Sequence, residues 1–473
     1  VTGDHTRREF LVLAGGTVAA AHPHRNARPH HHRRHKRHRK RRHPIEQIEH
    51  VVILTQENCS FDHYFGTLRG VRGFGDPTAI KLPGGRPVFE QPLPGIAAGY
   101  VLPWRLDISR ANPCVTTNGN DWKEVHQAVN GGRMDGFVAH GSTNAAPGFD
   151  AMRYFARPDI PWHMALADAF TVCDAYHASV LGPTNPNRLF IWTGTIDPRG
   201  RDGGPVIDNS EKPPYRWTTY PERLQHAGVT WRVYQQEDNF DDNALAWFQQ
   251  YQQAKPGSPL YENGLRRRSA DAFAQDVAAG RLPQVSWLIA PTDQSEHPFH
   301  APGPGAAFVD AALQALFAHP SVWRKTVFVL NYDEPNCYFD HVRPPLPPAG
   351  TADEFVGGEP IGLGLRVPCV VCSPFSRGGY VCSRTYDHTS VIRLLERRFG
   401  VREPNISAWR RRTVDNLLTA LDLERPDYSI PTLPATAPLV AASQYACAHH
   451  LPGTPPLLNQ RMPTQEPGTR PRR

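Results

Sequence analysis

Apolar positions along the chain fall into two alternating rhythms. Val51, Val52, Ile53 and Leu54 form an unbroken, largely β-branched run of the kind carried by a strand covered on both faces. Similar runs predict strands at 171–180, 229–234, 284–290, 326–332 and 367–373. Between them, helical spacing predicts helices near 162–169, 186–195, 216–226, 270–279, 306–318 and 389–399. In the last of these, Val391, Leu394, Leu395 and Phe399 recur at i, i+3, i+4 and i+8, which makes one apolar face. A further helix is expected within 121–137, ended by Gly131 and Gly132. Alternation of this kind predicts an α/β fold, a doubly wound, mostly parallel sheet with helices on both faces. Residues 80–120 read as irregular, the chain from about 430 as Pro-rich and polar, and no internal repeat is visible.

Length and composition narrow this picture. With 473 residues, 40% of them apolar, the chain can bury a large core, and 45–428 reads as one catalytic-sized domain followed by a Pro-rich tail at 429–473. Its 47 prolines and 38 glycines are interspersed with strand-like runs, so they mark long surface loops rather than disorder.

The net charge of +7 is concentrated in one place. Residues 22–43 hold ten Lys/Arg and no acid, and taking those ten from +7 leaves the rest of the chain at −3. A mildly acidic body gives no footing for a nucleic-acid partner. Segment 22–44, rich in His and Arg, has nothing to bury and is expected to be disordered. Its histidines are interleaved with arginines that repel a cation, so it reads as a tether for a membrane surface or an anionic cell-wall polymer. Ahead of it, 1–21 carries Arg7 and Arg8 before a weakly apolar run, the outline of a Tat-type export signal. That run is too short to span a hydrocarbon core of ~30 Å. A secreted or surface-associated protein is therefore expected. The pairing of the eight cysteines cannot be read from their spacing; Cys369 and Cys372 sit three apart in a strand-like run, point to opposite faces, and read as buried thiols.

Candidate chemistry lies where apolar runs end. Glu57 and Asn58 follow the first strand and offer two oxygen ligands at a carboxyl end, although such a pair also caps turns. Asp333 and Glu334 end the strand at 326–332, and two adjacent carboxylates repel unless a cation or an arginine lies between them. Thr184, in VLGPTNPNRLF, stands where a helix begins near Asn185 or Pro186; it is either a helix cap or a hydroxyl poised beside phosphate-binding N–H groups. Glu57, Asn58, Thr184, Asp333 and Glu334 together form an all-oxygen set suited to one divalent ion, with Zn²⁺ not excluded.

These motifs also carry a resemblance. ENCSFDHYFGTLRGVRGFGDP (57–77), GPTNPNRLFIWTGT (182–195), WRVYQQEDNFDDNALAWF (231–248), SEHP (295–298), YDEPNCYFDHV (332–342) and SPFSRGGYVCSRTYDHTS (373–390) resemble bacterial phosphatidylcholine-hydrolysing phospholipases C. Those enzymes are relatives of acid phosphatases in the alkaline-phosphatase-like superfamily. The resemblance implies an alkaline-phosphatase-like fold and Thr184 as the nucleophile, with a phosphothreonine intermediate. It implies His297 as general acid, and His126, His341 and His388 as candidates to contact phosphate or orient ligands. The implied substrate is a phospholipid, with a phosphomonoester as the alternative; the competing reading outside catalysis is a surface protein that binds polyanions through 22–44. The chain departs from the family's usual residues at Cys59, where Arg is usual, and at Pro335 and Cys337, where Asn and Gly are common.

Overall fold

A computed structural model describes residues 44–114, 119–140, 148–210 and 214–473. The export-signal segment 1–21 and nearly all of the basic segment 22–44 lie outside the described residues.

Seven strands form the central sheet: β1 (His50–Gln56), β2 (Thr171–Cys173), β3 (Trp231–Tyr234), β4 (Val285–Leu288), β5 (Thr326–Tyr332), β6 (Cys369–Cys372) and β7 (Val381–Cys382). Their order is β7-β2-β6-β5-β1-β4-β3, and only β6 runs antiparallel to its neighbours. β5 is buried along its whole length and β1 from Val51 onward, as their continuous apolar runs require. The predicted α/β class, a mostly parallel sheet with helices around it, is the class observed.

Three local expectations change. The strand predicted at 171–180 stops at Cys173, because residues 177–181 pair with a loop instead: the Ala178 amide donates to the Leu365 carbonyl at 3.0 Å and Leu181 to Ile361 at 2.8 Å. The apolar run was a buried loop, which periodicity alone does not separate from a strand. Helix α1 (Trp122–Val129) ends at Asn130, itself in the left-handed region (φ 49°), before Gly131 and Gly132 are reached. Helix α2 (Thr184–Thr193) begins at Thr184, with Pro183 in the cap position, so Thr184 is not the helix cap.

The chain beyond 430 is tied to the body. Helix α3 (Pro302–Phe317) packs against α4 (Ala437–His449), and Cys114 is disulfide-bonded to Cys447. The buried Arg470 side chain donates to the Ala167 carbonyl at 2.7 Å and to that of Arg69 at 2.9 Å. Cys369 and Cys372 are free and buried. Among the described residues, no helix is long and apolar enough to cross a membrane.

Candidate active site

Parallel register brings the acids together. Gln56 of β1 lies opposite Tyr332 of β5, so the residues that follow, Glu57 and Asp333, emerge side by side. The Asp333 amide donates to the Gln56 carbonyl at 3.0 Å. Asn58 adopts the left-handed region (φ 55°), which asparagine tolerates better than most residues. Its amide donates to Asp333 Oδ1 at 3.1 Å and its carboxamide to Glu334, which also accepts from Asn120 at 3.0 Å. Glu57, Asn58, Asp333 and Glu334 are thus one buried group.

Helix α2 meets this group through Arg188. The turn before the helix is clamped by Asn187, whose Oδ1 accepts from the Ser179 and Val180 amides at 2.9 Å, and whose Nδ2 donates to the Gly182 and Pro183 carbonyls at 3.1 and 3.0 Å. That clamp sets where Thr184, half-buried, opens the helix. Arg188 stands four residues on, over the same face. Its Nε donates to Asp333 Oδ2 at 3.1 Å, and its Nη2 to Glu57 and, at 2.9 Å, to Asp242. Asp242 arrives from a loop in which Phe240 (φ 52°) and Asp241 (φ 60°) are both left-handed, a conformation costing ~1–2 kcal/mol per residue.

Three buried carboxylates therefore share one guanidinium, and a fourth, Glu334, adjoins Asp333. Burial, then the Asp242 charge, raises Glu57 to about 8; burial raises Asp242 to about 7; burial and the Glu57 charge hold Asp333, and burial and the Asp333 charge hold Glu334, well above the ordinary carboxylate range. Glu57 Oε2 and Asn58 Oδ1 are buried without a hydrogen-bond partner. Excess buried negative charge together with unpartnered oxygens is what a divalent cation relieves, so the residues present fit one.

A family model, that of the phosphoesterase family, matches residues 48–402. The chain belongs to the phosphoesterase family. It is 45% identical to a non-hemolytic phospholipase C of Pseudomonas aeruginosa over 99% of this chain and 70% of that protein. It is 40% identical to phospholipase C A of Mycobacterium tuberculosis, over 98% of this chain and 96% of that one. A solved structure from Vibrio parahaemolyticus, a protein in the alkaline phosphatase superfamily, aligns with a TM-score of 0.33 and 12% identity over 67% of this chain and 73% of its own. This phosphoesterase is a phosphoric-ester hydrolase.

The histidines of the phosphoesterase divide by what their rings touch. His388 Nε2 lies 2.7 Å from the Asp333 carbonyl and Nδ1 3.2 Å from the Tyr176 hydroxyl. His341 is bracketed by Asp62 (2.6 Å) and Asp76 (3.2 Å). Burial works against charging it, but those two carboxylates outweigh burial and raise it above its ordinary value. Asp62, Asp340 and His341 bring ligand-type atoms within 4.8 Å of one another, yet Arg366 already neutralises both acids at 3.0 and 2.9 Å, which makes the group an ion-pair core. His126 meets the Trp122 carbonyl at 2.6 Å and the Pro360 carbonyl at 2.9 Å, and so fastens α1 to a neighbouring loop. Both ring nitrogens of His126, His341 and His388 thus lie within hydrogen-bond distance of protein atoms.

His297 differs. Its Nδ1 is buried without a partner, and burial, followed by His300, pushes the imidazole down to about 4, so it is neutral near pH 7. Sequence reasoning missed Arg188, Asn187, Asp242 and Asn120. Of these only Arg188, at i+4 from Thr184, left a readable signal.

Proposed function

We propose that this phosphoesterase is a phospholipase C, cleaving a phosphatidylcholine-like phospholipid on the glycerol side to release diacylglycerol and a phosphorylated head group. The observation that carries the reading is similarity to phospholipases C at 40–45% identity over nearly the whole chain, with the Glu57–Asn58 and Asp333–Glu334 pairs assembled at adjacent strand ends.

In this mechanism Thr184 Oγ1 attacks phosphorus, the bond to the glycerol oxygen breaks, and a phosphothreonine forms. His297, neutral in its buried setting, takes the Thr184 proton and returns it to the leaving oxygen. Water then attacks the phosphothreonine, passing its proton by the same route back to Thr184. The N-terminus of α2 favours the phosphoryl oxygens through the positive end of its dipole. A divalent ion held by Glu57, Asn58, Asp333 and Glu334, with Thr184 completing the set, would supply Lewis-acid charge at the phosphoryl group and lower the hydroxyl pKa.

Phosphatidylcholine and p-nitrophenyl phosphate, assayed in parallel with and without chelator, test the assignment. The proposal expects chelator-sensitive release of diacylglycerol from the lipid at the higher kcat/KM. Turnover of the monoester alone would make the protein a phosphomonoesterase.

A further inference from the structure

Among the described residues, Arg153 is buried in a different way from Arg188, Arg366 and Arg410. Arg188, Arg366 and Arg410 each bond at least two carboxylates at 3.1 Å or closer. Arg153, 3% exposed, bonds none: its Nη2 donates to the Tyr338 hydroxyl, the guanidinium lies 5.1 Å from that ring's centroid, and the acid recorded beside it, Asp150, stands 3.9 Å away and is partly exposed. Its Nε and Nη1 are buried without a hydrogen-bond partner. A buried cation left in that state is unfavourable unless something anionic meets it.

The surroundings say where such an anion would sit. Arg153 is held in place by its backbone, whose carbonyl lies 2.8 Å from His63 Nδ1, while the Phe155 amide donates to the His63 carbonyl at 2.8 Å. His63 belongs to the short helix Phe61–Phe65, which starts three residues after Asn58. Asn58, Cys59, His63, Arg153, Glu296 and Tyr338 line one small cavity of about 20 Å³, room for roughly one oxygen atom or water molecule. Asn58 and Arg153, each with unpartnered polar atoms, therefore border the same space. Glu296 makes no hydrogen bond to Arg153; its oxygens accept from Tyr64 and Tyr332 at 2.6 and 2.8 Å and lie 3.1 Å from the His163 ring.

We infer that Arg153 is a substrate-positioning residue that donates one of its unpartnered N–H groups, on Nε or on Nη1, to an anionic oxygen of a phosphoryl group beside Asn58. The inference deepens the phosphoester-hydrolase reading and depends on it, but not on which ester is cleaved. A planar guanidinium holds its N–H groups in fixed directions that a flexible ammonium does not reproduce, so Lys should restore only part of what Arg provides.

The test measures inhibition of the full-length enzyme by inorganic phosphate and, separately, by phosphocholine, in wild type, Arg153→Met and Arg153→Lys, with far-UV circular dichroism as the check on folding. Arg153→Met should raise both inhibition constants at least tenfold, and Arg153→Lys should fall between it and wild type. Loss with phosphocholine alone would place the contact on the head group rather than the phosphoryl oxygen and overturn the inference, as would unchanged constants for both. Should the variants fail to fold, a crystal structure of the wild-type protein with inorganic phosphate decides: a phosphate oxygen on Nε or Nη1 of Arg153 supports the inference, and water alone at that place overturns it. Phosphate binding through Arg153 in an enzyme inactive on phosphatidylcholine would sink the phospholipase proposal and leave this inference standing.

Discussion

Glu57 and Asp333, each the first residue past the end of its strand, are joined by a single guanidinium, that of Arg188. The same arginine also holds Asp242, so one side chain of α2 fixes the helix that begins at Thr184 against two strand ends and a loop. Arg188→Gln leaves three buried carboxylates short of their cation. The expected loss is about 3–5 kcal/mol of stability, the range for breaking a buried ion pair by removing one partner, read as a lowered urea midpoint with unchanged m-value. Turnover should fall with it, because Thr184 loses its anchor one turn away. A variant of wild-type stability would show that the acids are neutral without Arg188.

Removal of one proposed ligand separates metal binding from folding. Glu57→Ala should abolish turnover and metal content together, as measured by elemental analysis of the purified protein alongside the lipid assay. An inactive variant with full metal occupancy would take Glu57 out of the ligand set.

The readable part of this arrangement was local. Val51–Leu54 and the run before Asp333 are continuous apolar segments that stop abruptly at acids, and both strands and both acidic pairs follow from that pattern. Arg188 and Asp242 were not readable in the same way. An arginine inside a helical stretch ordinarily points to solvent, and nothing in the local spacing of 231–248 shows that its loop folds back onto β1 and β5. The run at 176–181 has the composition of a strand but is covered by the 361–367 loop, a long-range pairing invisible to any window. Cys337 shows the converse case: it sits at φ 51°, a left-handed position that suits the glycine common there among resembling enzymes, so the backbone explains the family's preference while the residue departs from it.

Acid should weaken the fold through histidines buried in neutral form. Burial, then the Arg153 charge, pushes His63 down to about 3, and burial pushes His177 to about 4, against an unfolded value of 6.5. Below pH 6.5 the unfolded chain binds protons at these positions that the folded chain does not, so stability falls as pH drops from about 6.5 and stops falling on their account near their folded values. His177→Gln should flatten the slope of unfolding free energy against pH between 4 and 6.5, measured by urea titration. An unchanged slope would mean that His177 is protonated in the folded protein.

The central claim is that Thr184 carries the phosphoryl group. Thr184→Val keeps the shape of the side chain and removes the oxygen, so the fold should survive with activity down by several orders of magnitude, while Thr184→Ser should retain measurable turnover. The most direct measurement quenches the wild-type enzyme in acid during turnover and maps the phosphopeptides. The account predicts phosphate on the peptide containing Thr184 and on none from the Val variant; a Val variant that turns over near the wild-type rate, with no phosphopeptide in either protein, would contradict it.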